Sequence, residues 1–146
     1  MGKPKKEITA FLDASVLVAA ALSPSGGSFR ILNESLLHGF GFVTSPHAFG
    51  ESERVLIRKY PDRVVELHHL AVFLNMVLDT SEKFAAQFTE IINVKDVPIL
   101  AAAVEAGVDV LITLDREHFL NNQLLKDKLP ALEILTPGDF IQKYFL

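Results

Sequence analysis

Cysteine and tryptophan are both absent from the 146 residues. Without a thiol there is no disulfide, no thiol nucleophile and no thiolate metal site, so any bound metal must be held by oxygen or imidazole. No apolar run approaches the roughly 18–20 residues that span a bilayer. The basic start, residues 1–7, lacks the small-residue cleavage site of a signal peptide. The expectation is a cytoplasmic chain with no membrane partner. Positive charge is in slight deficit, for a net charge of −4. That balance argues against a protein that coats nucleic acid non-specifically, yet it is compatible with an enzyme that pairs an acidic centre with a local basic rim. No GxGxxG or P-loop glycine pattern occurs, which removes the common signatures of nucleotide-cofactor use.

Hydrophobic residues make up 49% of the chain and charged residues 22%, a balance that predicts a folded domain. The length fits one domain over 1–146, with 1–7 read as a flexible tail. Strand-like runs are expected at 8–12, 40–44, 76–78, 108–114 and 132–135. Helices are expected at 13–22, 28–38, 46–59, 62–75, 81–92, 96–106 and 136–144. Strands alternating with helices predict a three-layer α/β/α sandwich around a five-stranded, mostly parallel sheet.

The two best strands end alike. Ile8-Thr9-Ala10-Phe11-Leu12 runs into Asp13, and Val110-Leu111-Ile112-Thr113-Leu114 runs into Asp115. In a parallel sheet, strand C-termini share the edge where α/β proteins bind ligands. Asp96, at the start of the helix that feeds the fourth strand, should lie near the same edge. Each of these aspartates alone reads as a helix cap, and Glu51 alone reads as a solvated helix residue. Together they form a different pattern. Carboxylates gathered within a few ångströms raise one another's pKa unless a counter-charge intervenes. An all-oxygen site suits Mg²⁺ or Mn²⁺. Such an ion commonly serves phosphoryl chemistry, which points to metal-dependent phosphoester hydrolysis.

Four segments in order strengthen this reading: Phe11–Ala20, Leu22–Gly27, Thr44–Leu56, and Lys95–Ala103 continuing through Gly107–Asp115. In composition and spacing the chain resembles a PIN-domain ribonuclease, in the branch of toxin components of toxin–antitoxin systems (VapC-like). The resemblance implies a PIN-like fold, a Mg²⁺ or Mn²⁺ site and endonucleolytic cleavage of single-stranded RNA. It implies that Asp13, Glu51, Asp96 and Asp115 are the catalytic acids and the metal ligands, supported by Ser15 and Thr113. It also implies an antitoxin protein as partner. Periodicity alone leaves Glu51 and Glu53 equivalent on the two sides of the apolar face of 46–59; only the family spacing selects Glu51. Two departures stand out. Leu114 replaces a frequent glycine, so its side chain either narrows the mouth of the site or enters the core. Lys95 replaces a second acid beside Asp96 and is available to offset negative charge or contact phosphate.

Arg54, Lys95 and Arg116 are the candidates for RNA contact, within a wider basic set of Arg30, Arg58 and Lys59; the alternative is scattered solubilising charge. His118, three residues after Asp115, is within reach of the site, but a solvated or packing role is the favoured expectation. Asp109 starts the fourth strand at the end away from the site and reads as a strand-end or turn residue. His68 and His69 point about 100° apart and cannot chelate one ion together. Segment 81–92 looks longer and more helical than is usual in the family. The apolar helices at 28–38 and 62–75 offer surfaces for a homodimer or a protein partner. Two other functions compete with the nuclease: a catalytically silent PIN-fold module that binds protein or RNA, and a phosphatase or receiver domain. Ser15 stands where a haloacid-dehalogenase-type phosphatase needs a second aspartate, which weakens the last.

Overall fold

The computed structural model describes residues 7–145, so the tail expected at 1–7 lies, except for Glu7, outside the described residues. Five strands, β1 (Thr9–Leu12), β2 (Gly41–Thr44), β3 (Asn75–Met76), β4 (Val110–Ile112) and β5 (Glu133–Leu135), form one sheet in the order β3-β2-β1-β4-β5. Every pairing is parallel; Ala10 stands opposite Phe42 on one side and Val110 on the other. All five C-termini therefore share an edge. The chain builds outward from β1 in one direction, then crosses back to place β4 on its other side. That reversal opens a crevice between the ends of β1 and β4, the position where open α/β sheets bind ligands.

Alternation along the strands divides the core in two. Ala10, Leu12, Phe42, Val110 and Ile112 pack against α1 (Ala14–Leu22), α2 (Gly27–Asn33), Leu56 of α4 (Pro46–Lys59), α5 (Val64–Leu70) and Phe140 of α9 (Pro137–Phe140). Phe11, Val43 and Leu111 face the opposite layer, where α7 (Val97–Ala106) contributes Ile99, Leu100 and a stripe of alanines. The three-layer sandwich is as the strand–helix alternation predicts. No single helix among the described residues is long and apolar enough to cross a membrane.

Several boundaries differ from expectation. The helix expected over 28–38 breaks at Glu34 into α2 and a short α3 (Ser35–His38), which stops at Gly39 with φ +70°. The helix expected over 62–75 is an α5 core between 3₁₀ turns at Pro61–Arg63 and Ala71–Phe73. The long helix expected at 81–92 is only α6 (Glu82–Ala85) and a 3₁₀ turn; Ser81 caps it, and the apolar residues there pack Phe88 and Ile92 into the core through turns. Residues 116–128, for which no element was expected, form a π-helical turn (Arg116–Leu120) and α8 (Gln123–Lys128), anchored by buried Phe119 and Leu125. Asp109 is a strand-end residue as expected, accepting from the backbone N–H of Thr9 at 3.0 Å.

Gly107 ends α7 with φ +69° and has open space around its missing Cβ. Gly107→Ala should therefore destabilise through backbone strain alone, by about 1 kcal/mol in urea unfolding. Gly50 lies inside α4, where a Cβ would meet only the mobile Arg54 guanidinium at 3.4 Å. Gly50→Ala should stabilise by roughly 0.5–1 kcal/mol in the same measurement.

Candidate metal centre

Asp13 is held by both the strand that delivers it and the helix it starts. Its backbone N–H extends the β1–β4 ladder by donating to the carbonyl of Ile112. Its Oδ1 accepts from the N–H of Ala14 at 2.7 Å and so caps α1. Its Oδ2 accepts from Ser15 Oγ at 3.0 Å and from Thr113 Oγ1 at 2.7 Å. Those two hydroxyls do more than satisfy the carboxylate. Thr113 Oγ1 accepts from the N–H of Asp115 at 3.1 Å, and Ser15 Oγ accepts from the N–H of Leu114 at 3.1 Å. Asp13 is thereby tied to the segment that carries Asp115 through two hydroxyl bridges. Ser15 and Thr113, the two residues expected to support the site, both hydrogen-bond to the Asp13 carboxylate.

Asp115 has the same division of labour. Oδ1 accepts from the N–H of His118 at 3.0 Å and caps the π-helical turn, while Oδ2 accepts from His118 Nδ1 at 3.1 Å. Asp96 differs. Its carboxylate makes no cap bond to α7; the preceding turn is capped instead by Asn93, whose side chain accepts from the N–H of Lys95. The Asp96 side chain is released toward Asp115 and His118. Ligand atoms of Asp96, Asp115 and His118 all lie within 4.8 Å of one another. His118 Nδ1 is 3.0 Å from Asp96 Oδ2, but its N–H serves Asp115, so among the described residues this buried Asp96 oxygen has no hydrogen-bond partner.

Three of the four acids expected from the sequence fall into an Asp96–Asp115–His118 group and an adjoining, more enclosed Asp13. Glu51 is electrostatically coupled to both parts, since its charge raises the pKa of Asp13 and of Asp96. Glu53, which periodicity left equivalent to it, is turned to α5 and meets His68 Nε2 at 3.1 Å. Of the basic candidates, Lys95 is exposed and its charge opposes the rise at Asp96. Arg54 and Arg116 are exposed, whereas Arg30 is engaged by Glu34 at 2.6 Å. Leu114 settles between its two expected orientations by pointing outward, 44% exposed. The expectation of a solvated or packing role for His118 is corrected: the cap at Asp115 folds the turn back and sets the imidazole between two carboxylates. The signal in the sequence was the three-residue spacing from Asp115, which is the reach of an N-cap.

Burial is the main cause of the elevated Asp13 pKa, raised from 3.8 to about 6, with the three hydrogen bonds opposing it and the Glu51 charge adding to it. Asp96 is also raised, first by burial and then by the Asp115 charge, against the pull of His118 and Lys95. A buried carboxylate oxygen without a hydrogen-bond partner among the described residues, beside a second acid and an imidazole, is a donor set that fits a divalent cation.

Because folding raises the Asp13 pKa, the folded chain holds that proton more tightly than the unfolded one. The stabilising contribution is complete below about 3.8 and is lost as pH rises through about 6. In metal-free protein at neutral pH the ionised group opposes folding by roughly 3 kcal/mol. Asp13→Asn removes that titration. In urea unfolding without metal, the variant should be more stable than wild type above pH 6, and the gap should close as pH falls toward 4.

Comparison with known proteins agrees with this architecture. The PIN domain family model matches residues 9–117, well over half of the chain. Among solved structures, the DNA-bound VapBC of Salmonella typhimurium superposes with a TM-score of 0.66 at 12% identity, covering 89% of this chain and 98% of that one. VapBC2 of Rickettsia felis, bound to a promoter DNA fragment, gives 0.64 at 14% identity, covering 88% and 98%. VapC20 of Mycobacterium tuberculosis, a sarcin–ricin-loop-cleaving toxin, gives 0.56 at 16%, covering 74% and 91%. No curated protein matches by sequence. At these identities the structures speak for the fold; the family model, matched from β1 through the turn after Asp115, establishes that the chain belongs to the PIN-domain family.

Proposed function

We propose that the chain is a metal-dependent endoribonuclease that cleaves single-stranded RNA and is the toxin of a toxin–antitoxin pair. The observation that carries the reading is the Asp96–Asp115–His118 group, with Asp13 tied by hydroxyl bridges to the segment that carries Asp115 and the Glu51 charge acting on Asp13 and Asp96, at the edge of the sheet where its strand order reverses. Membership of the PIN-domain family supports it, as does the fold shared with VapC20, a toxin that cleaves the sarcin–ricin loop.

Asp96, Asp115 and Asp13, with Glu51, would hold Mg²⁺ or Mn²⁺. The bound ion supplies neutralisation of phosphate charge and a water made acidic enough to act as nucleophile at neutral pH. The chain's own residues do the rest. Thr113 and Ser15 fix the Asp13 carboxylate by two hydrogen bonds, so it meets its ligand without reorganisation. Asn93 caps the turn that leads into α7, and the Asp96 carboxylate, which makes no cap bond to that helix, is available to the site. Exposed Lys95, Arg54 and Arg116 supply positive charge for the phosphate backbone, which fixes register without reading sequence. Attack by water rather than by the ribose 2′-hydroxyl leaves a 5′-phosphate and a 3′-hydroxyl. The readings of antitoxin partner and homodimer rest on the VapBC pairs that share the fold and on the exposed Leu37, Val65 and Val72 on the two surfaces singled out in the sequence.

Purified protein given Mn²⁺ or Mg²⁺ should cut a labelled single-stranded RNA into 5′-phosphorylated products. Asp13→Asn and Asp115→Asn should each lower the rate more than about a hundredfold. Cleavage surviving both substitutions marks a contaminating nuclease, and wild-type protein that binds metal without cutting any RNA favours the silent module. In sedimentation, a dimer is expected; only monomer at high concentration overturns that assignment.

A further inference from the structure

His118 stands out as a group that the acidic reading of the site leaves unused. Its backbone is pinned on both sides: the N–H donates to Asp115 Oδ1, and the carbonyl accepts from Asn122 Nδ2 at 3.0 Å. The next residue, Phe119, is fully buried. The imidazole is thus held in place before any ligand arrives, on a π-helical turn of the kind that often marks functional positions. Nδ1 lies 3.0 Å from Asp96 Oδ2 and 3.1 Å from Asp115 Oδ2. An octahedral ion that keeps its ligands near 2.1 Å separates adjacent ligand atoms by about 3 Å. Nδ1 already stands at that spacing from each carboxylate oxygen, and all three groups offer ligand atoms within 4.8 Å of one another; among the described residues the Asp96 oxygen has no hydrogen bond that an ion would have to displace. On the far side of the ring, Glu117 Oε1 stands 4.0 Å from Nε2 on a side chain that is 87% exposed and free to turn. A carboxylate behind a metal-bound imidazole holds the hydrogen on the distal nitrogen and leaves the other nitrogen's lone pair for the metal.

We propose that His118 Nδ1 is a ligand of the cation held by Asp96 and Asp115, and that this nitrogen makes the site favour a first-row transition ion such as Mn²⁺ over Mg²⁺. The inference rests on the reading of the acidic cluster as a cation site. In the metal-free chain Nδ1 carries hydrogen and donates it to Asp115 while standing beside Asp96; with the ion bound, the hydrogen resides on Nε2 facing Glu117. Mg²⁺ gives up water reluctantly and prefers oxygen, so an imidazole contributes little to holding it. Mn²⁺ accepts mixed oxygen and nitrogen donors more readily.

The test uses the metal-free full chain and needs no RNA. Pulsed electron paramagnetic resonance of Mn²⁺-loaded wild-type protein should show a directly bound imidazole ¹⁴N. That signal should vanish in His118→Ala and in His118→Gln, both checked for unchanged thermal unfolding. Calorimetric titration should show Mn²⁺ affinity falling about ten- to a hundredfold in both variants, with a much smaller change for Mg²⁺. Mn²⁺ binding without nitrogen coupling in the wild type, or an equal loss for both ions, overturns the proposal and makes His118 a donor that orients the acids. Wild-type protein that binds neither ion overturns the cation reading beneath it.

Discussion

The Asp13 carboxylate, gripped by two hydroxyls, is the joint on which the site depends. Thr113 and Ser15 both donate to its Oδ2, and each accepts a backbone N–H from the segment after β4. The arrangement needs β1 and β4 side by side and parallel, and the sheet order supplies that adjacency. Both acids at the strand ends are thereby fixed by one small network whose members lie a hundred residues apart in the chain. A buried network of this kind is worth having only when every member is satisfied, and here every hydrogen of the pair of hydroxyls and both Asp13 oxygens are used.

Against that satisfied joint, the neighbouring group is left under tension. Asp96 and Asp115 face each other across one imidazole, and a single Nδ1–H serves only one of them. Burial and the mutual repulsion of the acids raise Asp96, and burial raises Asp13. Lys95 offsets part of this from the surface. Functional sites commonly concentrate such perturbed groups, because the arrangement that destabilises the empty state is the one that favours an incoming charge.

Much of this was legible in the sequence. Five strands and the parallel sheet follow from short apolar runs alternating with helical segments, and the shared edge is marked by the two runs that end in aspartate. The alternation of Ala10, Phe11 and Leu12 across two cores follows from strand geometry. Periodicity gave out where a residue's fate is decided by a partner far away. Glu51 and Glu53 could not be separated until α5 brought His68 to the second. Apolar spacing at 84–92 suggested one helix, but turns deliver Phe88 and Ile92 to the core equally well. The sequence puts His118 within reach of the site, but its three-residue spacing from Asp115 does not outweigh the ordinary expectation for a lone histidine; its place is set by a cap and a turn that bends back on the strand end.

The two jobs given to each strand-end acid explain a difference in residue type. Asp13 and Asp115 each spend one oxygen on a backbone N–H within three residues and turn the other toward the site. Only a single-methylene side chain reaches a local amide while keeping its second oxygen aimed outward. Glu51, projecting from the middle of α4 with no terminus to close, has no such obligation and must instead span the gap from a helix to the sheet edge. The extra carbon gives a helix residue a longer reach, and the Glu51 charge is felt at both Asp13 and Asp96.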